Sequence, residues 1–192
     1  MRKHFAITLC LLITAIANSP VTAQTEHSVR FGGYGGPELG ITSVNGDFGV
    51  MMGGRGGLII NNRWVIGGAG WRMVNNLKIN EMDARPLSLE MKYGGLLLEH
   101  LFPSRDIFLF SVNAIIGGGQ VSLDENESNQ EIGLDRFFIF EPGANLVADI
   151  SRHFRISLGV GYRFIANARL GDIENSDLAG PTAKATLEFG LF

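Results

Sequence analysis

The sequence predicts an all-β fold: an eight-stranded antiparallel up-and-down β-barrel of the transmembrane kind. Three observations predict it. From residue 29 onward apolar residues recur with period two, the spacing of a strand with unlike faces. The alternating segments are long and eight in number, an even count that suits closure of a bacterial barrel. Beyond the first residues no apolar stretch is long enough for a spanning helix, so a membrane crossing would have to be made by strands.

At the N-terminus, Arg2 and Lys3 precede an apolar run from Phe5 to Ile16, followed by Asn18, Ser19, Pro20 and Val21-Thr22-Ala23. The run is about 12 residues, short of the roughly 20 that a membrane-spanning helix needs. The pattern is that of a secretory signal peptide over 1–23, cleaved after Ala23. Leu9 stands before Cys10 where a lipoprotein signal usually has a small residue, and the apolar core continues past it. Cys10 would leave with the signal, so the mature chain offers neither a disulfide nor thiolate metal chemistry.

Residues 24–192 then form a single domain. The full chain carries 16 Lys and Arg against 19 Asp and Glu. Removing Arg2 and Lys3 leaves 14 against 19, a net charge of −5. Basic residues are not gathered into a patch, which argues against a nucleic-acid partner.

The expected strands are 29–43, 47–60, 64–75, 87–101, 106–122, 135–151, 154–168 and 181–192. The alternation is clearest at 154–168, where Phe154, Ile156, Leu158, Val160, Tyr162 and Phe164 form one face and Arg155, Ser157, Gly159, Gly161 and Arg163 the other. The second, fourth and sixth connections are tight, at Asn61-Asn62-Arg63, Phe102-Pro103-Ser104-Arg105 and Ser151-Arg152-His153. The third, fifth and seventh are longer, over 76–86, 123–134 and 169–180. Alternating short and long connections suit a barrel with brief turns inside the cell envelope and larger loops outside; the tight first connection, Ser43 to Gly46, departs from that pattern. No segment carries a helical period with a capping signal.

Periodicity does not say whether the apolar face meets lipid or lines the hollow of a soluble barrel. The apolar rows reach the roughly 9 to 11 residues that a tilted strand needs to cross a bilayer. The other face mixes Gly and Ser with Glu90, Lys92, Glu141, Asp149, Arg155, Arg163, Lys184 and Glu188. These charges are expected to form an ion-pair network in a lumen too narrow for an open pore. Aromatics stand near strand ends at Phe31, Tyr34, Trp64, Trp71, Phe102, Phe108, Phe137, Phe138, Phe154 and Phe192, where rings favour the headgroup level.

Glycine clusters occur at 31–40, 53–57, 67–70, 93–95 and 116–120. None leads into a helix, as a phosphate loop would; glycines in barrel strands allow bends and make room for large neighbours. The run GGYGGPELG, NGDFGV, GGRGG, IINN and IGGAGW, residues 32–71, resembles glycine-rich barrel proteins of Bacteroidota type, and the mature chain is similar to small outer-membrane barrels of the OmpA/OmpX type. The resemblance implies an outer-membrane location and no settled activity. A terminal Phe192 is what such barrels present to the barrel-assembly machinery, although Gly190 and Glu188 depart from the usual aromatic or apolar pattern.

Some barrels of this size are lipid A-modifying enzymes or surface proteases, which would bring a histidine with a Ser or Asp partner near the outer rim. His27, His100 and His153 all fall at the opposite end, and no nucleophile-and-base spacing stands out. Asp124, Glu125, Glu127 and Glu131 make the fifth connection acidic. They lack the order of a calcium loop, yet could share divalent ions with lipopolysaccharide. The expectation is a non-enzymatic protein of structural or surface-binding role, without cofactor or metal site. Its partners would be outer-membrane lipids and lipopolysaccharide, the assembly machinery and an unidentified surface ligand. The alternatives are a lipid A-modifying enzyme and a soluble lipocalin-like carrier.

Overall fold

The computed structural model describes residues 29–44, 47–75, 77–79, 87–104, 106–125, 131–167 and 175–192, with 77–79, 87–90, 123–125 and 131–134 as backbone only. The strands are β1 (Phe31–Val44), β2 (Asp47–Ile60), β3 (Trp64–Met73), β4 (Leu77–Ile79), β5 (Leu87–Phe102), β6 (Phe108–Glu125), β7 (Glu131–Ser151), β8 (Phe154–Ala166) and β9 (Gly180–Leu191), with a one-turn helix α1 (Asn175–Leu178) before β9. All neighbours pair antiparallel in the order β3-β2-β1-β9-β8-β7-β6-β5, and a β3–β5 ladder from Trp64↔His100 to Arg72↔Lys92 closes the ring. Eight strands surround the lumen, because β4 is a short resumption of β3 that pairs only with the start of β5.

Local chemistry explains where the strands turn and break. Asn61 and Asn62 have φ of 53° and 54° and are bridged by the Arg63 N–H donating to the Ile60 carbonyl at 3.1 Å. Two positive φ values make this a type I′ turn, whose twist matches the flanking strands, and Asn tolerates that region better than most residues. The third strand, expected to run unbroken over 64–75, stops at Met73. There Asn75 substitutes its side chain for the ladder: its Oδ1 accepts from the Val50 N–H at 2.6 Å and its Nδ2 donates to the Phe48 carbonyl at 2.8 Å.

Two further expectations are corrected. The fifth connection is shorter than 123–134: β6 continues through Asp124 and Glu125, β7 begins at Glu131, and Asp124 is the ladder partner of Glu131 past a register shift. Backbone pairing outlasts the apolar alternation that marked these strands in the sequence. The seventh connection contains α1, a single turn held by the Ala179 N–H donating to the Asn175 carbonyl at 3.0 Å. One turn is too short to show a period. The proposed signal segment, residues 1–23, lies outside the described residues.

The faces are sorted opposite to those of a soluble barrel. Leu39, Ile41, Leu58, Leu96, Leu98, Phe110, Phe140, Leu146, Leu158, Val160 and Phe164 are among the large apolar side chains on the exterior, whereas Glu38, Arg55, Glu99, Glu141, Arg163 and Glu188 are buried inside. A lining of this kind does not fit a carrier with an apolar hollow. Of the strand-end aromatics, Phe31, Trp64, Phe102, Phe108 and Phe138 do face outward. Tyr34, Trp71 and Phe137 are buried in the interior, and Phe192 packs against the inner cluster at the tight-turn end.

Glycine makes the close approach of strands possible. A Cβ at Gly67 would lie 2.5 Å from the Gly57 Cα and closer still to the Gly56 carbonyl, and one at Gly53 would lie 2.6 Å from Cδ1 of Trp71. Gly35 is different, since a Cβ there would meet nothing within 4 Å. Gly67→Val is therefore expected to abolish the compact band that a folded barrel gives in unheated detergent gels, while Gly35→Val, on an open and strand-compatible site, should leave it intact.

Candidate functional site

The interior is built in three tiers. At the tight-turn end Tyr34, Ile59, Val65, Leu101, Leu109 and Val147 form an apolar cluster, joined by Phe192. At the long-loop end Val44, Met51, Trp71, Met73, Met91, Tyr93, Val121, Phe137 and Ile165 form a second cluster, with Leu178 of α1 fully buried in it. Charged and hydroxyl side chains fill the space between.

The middle tier is a connected chain of ion pairs. Glu141 lies 2.5 Å from Nζ of Lys184 and accepts hydrogen bonds from the Tyr93 hydroxyl at 2.9 Å and the Thr182 hydroxyl at 3.1 Å. Lys184 reaches on to Glu38 at 3.7 Å, and Glu38 lies 3.4 Å from Nε of Arg55. Arg55 then binds Glu188 at 2.7 Å and donates to the Ser157 hydroxyl at 2.9 Å. Glu38 is further satisfied by the Trp71 indole N–H at 2.7 Å and the Thr186 hydroxyl at 2.6 Å. A neighbouring group centres on Glu99, which accepts from Tyr34 at 2.9 Å, Ser111 at 2.5 Å and Asn145 at 3.0 Å.

Of the lumen residues read from the sequence, Glu141 and Lys184 meet directly, and Glu188 meets Arg55. Arg155 pairs with Asp149 near the tight-turn mouth and stacks over the Phe192 ring at 3.9 Å. Arg163 stands apart: its Nε donates to the Leu178 carbonyl at 2.9 Å, and its guanidinium lies 5.5 Å from the Tyr93 ring centre. It thereby ties α1 into the long-loop mouth. Lys92 is a correction, because it faces outward beside Arg72 and Gln120. Glu90 is described as backbone only, and so are Asp124, Glu125 and Glu131, while Glu127 lies outside the described residues.

The residues missed in the sequence are Glu38, Arg55 and Glu99. Two of them sit alone within the glycine runs GGYGGPELG and GGRGG. The usable signal was parity, since Glu38 shares a face with Tyr34 and Thr42, and Arg55 shares one with Met51 and Ile59. The same glycines make room for them: Gly53 leaves space for Trp71, whose indole holds Glu38.

What the geometry can do chemically is limited and clear. Glu38, Arg55, Glu141, Lys184 and Glu188 are paired with one another, Glu99 is held by neutral donors and Arg163 by the Leu178 carbonyl, with apolar tiers at both mouths, so the arrangement fills and rigidifies a lumen. Among the described residues no group of three or more His, Cys, Asp and Glu is placed to hold a metal ion. His100 is sandwiched on the exterior between Trp64 at 4.3 Å and Phe102 at 4.8 Å, and His153 lies in the β7–β8 turn.

A closed eight-stranded antiparallel ring, apolar outside and polar within, is the fold of the small outer-membrane β-barrels. No protein-family model and no curated protein sequence matches the chain. Among solved structures it is similar to Neisserial surface protein A, with a TM-score of 0.56 at 11% identity over 86% of this chain and 99% of that one. It is likewise similar to Ail, the attachment invasion locus protein of Yersinia pestis, at 0.50 and 14% over 84% and 97%. OprG of Pseudomonas aeruginosa matches at 0.51 and 13% over 84% and 94%. These likenesses are of fold.

Arg55 is the joint of the ion-pair chain, and removing one partner of a buried pair leaves an uncompensated charge. Arg55→Met should therefore lower stability by about 3–5 kcal/mol in urea unfolding of the vesicle-folded protein. Arg55→Met combined with Glu188→Gln should recover part of the loss.

Proposed function

We propose that the protein resides in an outer membrane as a structural or surface-binding barrel with a closed lumen. The observation that carries this reading is the reversal of faces, with large exposed apolar side chains all round the exterior and an ion-paired interior. A contiguous apolar exterior of this extent is unstable in water and suited to lipid, which requires every spanning backbone group to be paired within the ring. Export through the N-terminal segment and insertion by the barrel-assembly machinery belong to the same reading.

The three-tier interior favours a structural or binding role over conduction. An eight-stranded barrel holds little beyond its own side chains, and Leu178 and Phe192 add apolar bulk at the two mouths. The long connections would then carry any surface partner. Ail, which has a solved complex with the heparin analogue sucrose octasulfate, shows that a barrel of this fold takes up an anionic ligand. Here the acidic residues at 124–131 and 172–177 favour a cationic group or a shared divalent ion instead. A calorimetric titration should show calcium uptake at millimolar concentration, and silence would remove that role.

The deciding measurement is gel migration of the protein from purified outer membranes, unheated against boiled. A band in that fraction that moves on boiling is expected. A soluble periplasmic protein without a shift would sink the membrane reading, and steady conductance in planar bilayers would sink the closed lumen.

A further inference from the structure

Among the described strand residues, charge on the outward rows of the barrel wall is confined to one side. On β3, β5 and β7 the outward row runs through apolar or glycine positions and then meets Arg72, Lys92 and Arg136 at the long-loop end, all three exposed. The ladder joins them in one line, with Arg72 opposite Lys92, Lys92 opposite Gln120 and Gln120 opposite Arg136. Three strand spacings make the line about 15 Å long. At the same end of β1, β2 and β9 the outward residues are Ile41, Ser43, Phe48, Val50, Met52 and Pro181. A general headgroup anchor would ring the barrel, and this line does not.

The line is unfavourable by itself. Like charges directly opposite on adjacent strands repel, and among the described residues none of the three side chains has an ion-pair partner. An anion lying across the line would relieve that repulsion and accept charge-assisted hydrogen bonds from it.

Beside the line lies a shallow groove of about 880 Å³ floored by Gly70, Gly94 and Gly118, with Arg72, Lys92 and Arg136 along its edge. The three glycines are themselves ladder neighbours, one outward step nearer the middle of the barrel. Packing does not demand glycine at Gly70, where an added Cβ would make only an ordinary contact, 3.6 Å from the Tyr93 carbonyl oxygen. At Gly94 and Gly118 a Cβ would come within 2.8 and 3.2 Å of the Ala69 and Phe137 carbonyl oxygens, so those two serve strand approach, whereas the missing side chain at Gly70 leaves exterior space.

We propose that this face binds a phosphorylated glycolipid of the outer leaflet, lipopolysaccharide in chemical class. Its phosphates would lie across Arg72, Lys92 and Arg136, and an acyl chain would lie in the glycine trough. Gln120 supplies a neutral hydrogen-bonding group within the line. A second copy of the chain is the poorer occupant, since a two-fold axis along the membrane normal sets both cation lines at equal depth and face to face. The acidic-loop contact through divalent ions is a separate matter, because this site uses direct charge pairing on the barrel wall.

The proposal rests on residence in the outer membrane, and the experiment separates the two. Protein refolded in detergent, checked by the boiling shift, is mixed with bisphosphorylated lipid A or with the same lipid stripped of phosphate, and retained lipid is read by native mass spectrometry. The wild type should hold the bisphosphorylated form in preference. The combined variant Arg72→Gln, Lys92→Gln, Arg136→Gln should still shift on boiling but bind roughly a hundredfold more weakly, each basic residue near a membrane surface contributing on the order of a fivefold factor. Gly70→Leu keeps every cation and should also weaken retention by filling the trough. Equal retention by the triple variant, or equal retention of the phosphate-free lipid, overturns the site while leaving the boiling shift, and with it the barrel, untouched.

Discussion

Closing eight strands into a ring is the constraint from which the rest of this structure follows. Closure pairs β1 with β9 and β3 with β5, so over the band where the eight strands of the ring overlap no sheet edge is left to template association. It also fixes a lumen only wide enough for side chains. Everything inward must fill that space at packing density, and everything outward must suit the surrounding medium. Neither face can be relaxed independently, because successive residues serve opposite sides.

The lumen meets its constraint by pairing very large residues with none at all. Trp71 occupies the volume that Gly53 vacates, and the Phe137 ring lies where a side chain at Gly119 would stand. Charges then fill the middle tier without a desolvation penalty large enough to unfold the barrel, because Glu38, Glu99 and Glu141 each collect several donors and Glu188 is paired with Arg55: Glu38 alone has the Trp71, Thr186 and Arg55 groups around it. Replacing such a network by apolar residues is often neutral for stability. Here, however, an apolar middle tier would remove the contrast between the faces on which strand register depends.

The fold was legible in the sequence because period-two alternation and turn spacing both report on closure. The 47–60 strand and the start of β8 at Phe154 follow from that alternation, although β8 ends at Ala166 and not at 168, and the Asn61-Asn62 turn follows from residue type. What failed did so for physical reasons. Over 96–101 of β5 both faces are apolar apart from Glu99 and His100, so parity had little to hold, and Lys92 was placed in the lumen on the assumption that charges turn inward. Arg55 and Glu38 were hidden because their glycine neighbours report on backbone approach and carry no hydropathy. Extension of β6 and β7 into the acidic segment left no trace in the pattern, since strand pairing beyond the apolar band needs no apolar row.

The outward cation line inherits its placement from the core behind it. Trp71, Tyr93, Gly119 and Phe137 are ladder neighbours in that order, each adjacent in sequence to a member of the line Arg72, Lys92, Gln120 and Arg136. Inside, the Trp71 and Tyr93 rings meet at 5.1 Å, and Trp71 and Tyr93 donate to Glu38 and Glu141. A slip of one residue on β3, β5 or β7 would turn an aromatic ring out to the surroundings and bring a cation into the apolar tier, at a cost of several kcal/mol for the unpaired charge alone. The packed rings therefore hold four outward side chains at fixed spacing without a bond to any of them. That is how a rigid barrel can present a charged surface whose geometry is set from the inside.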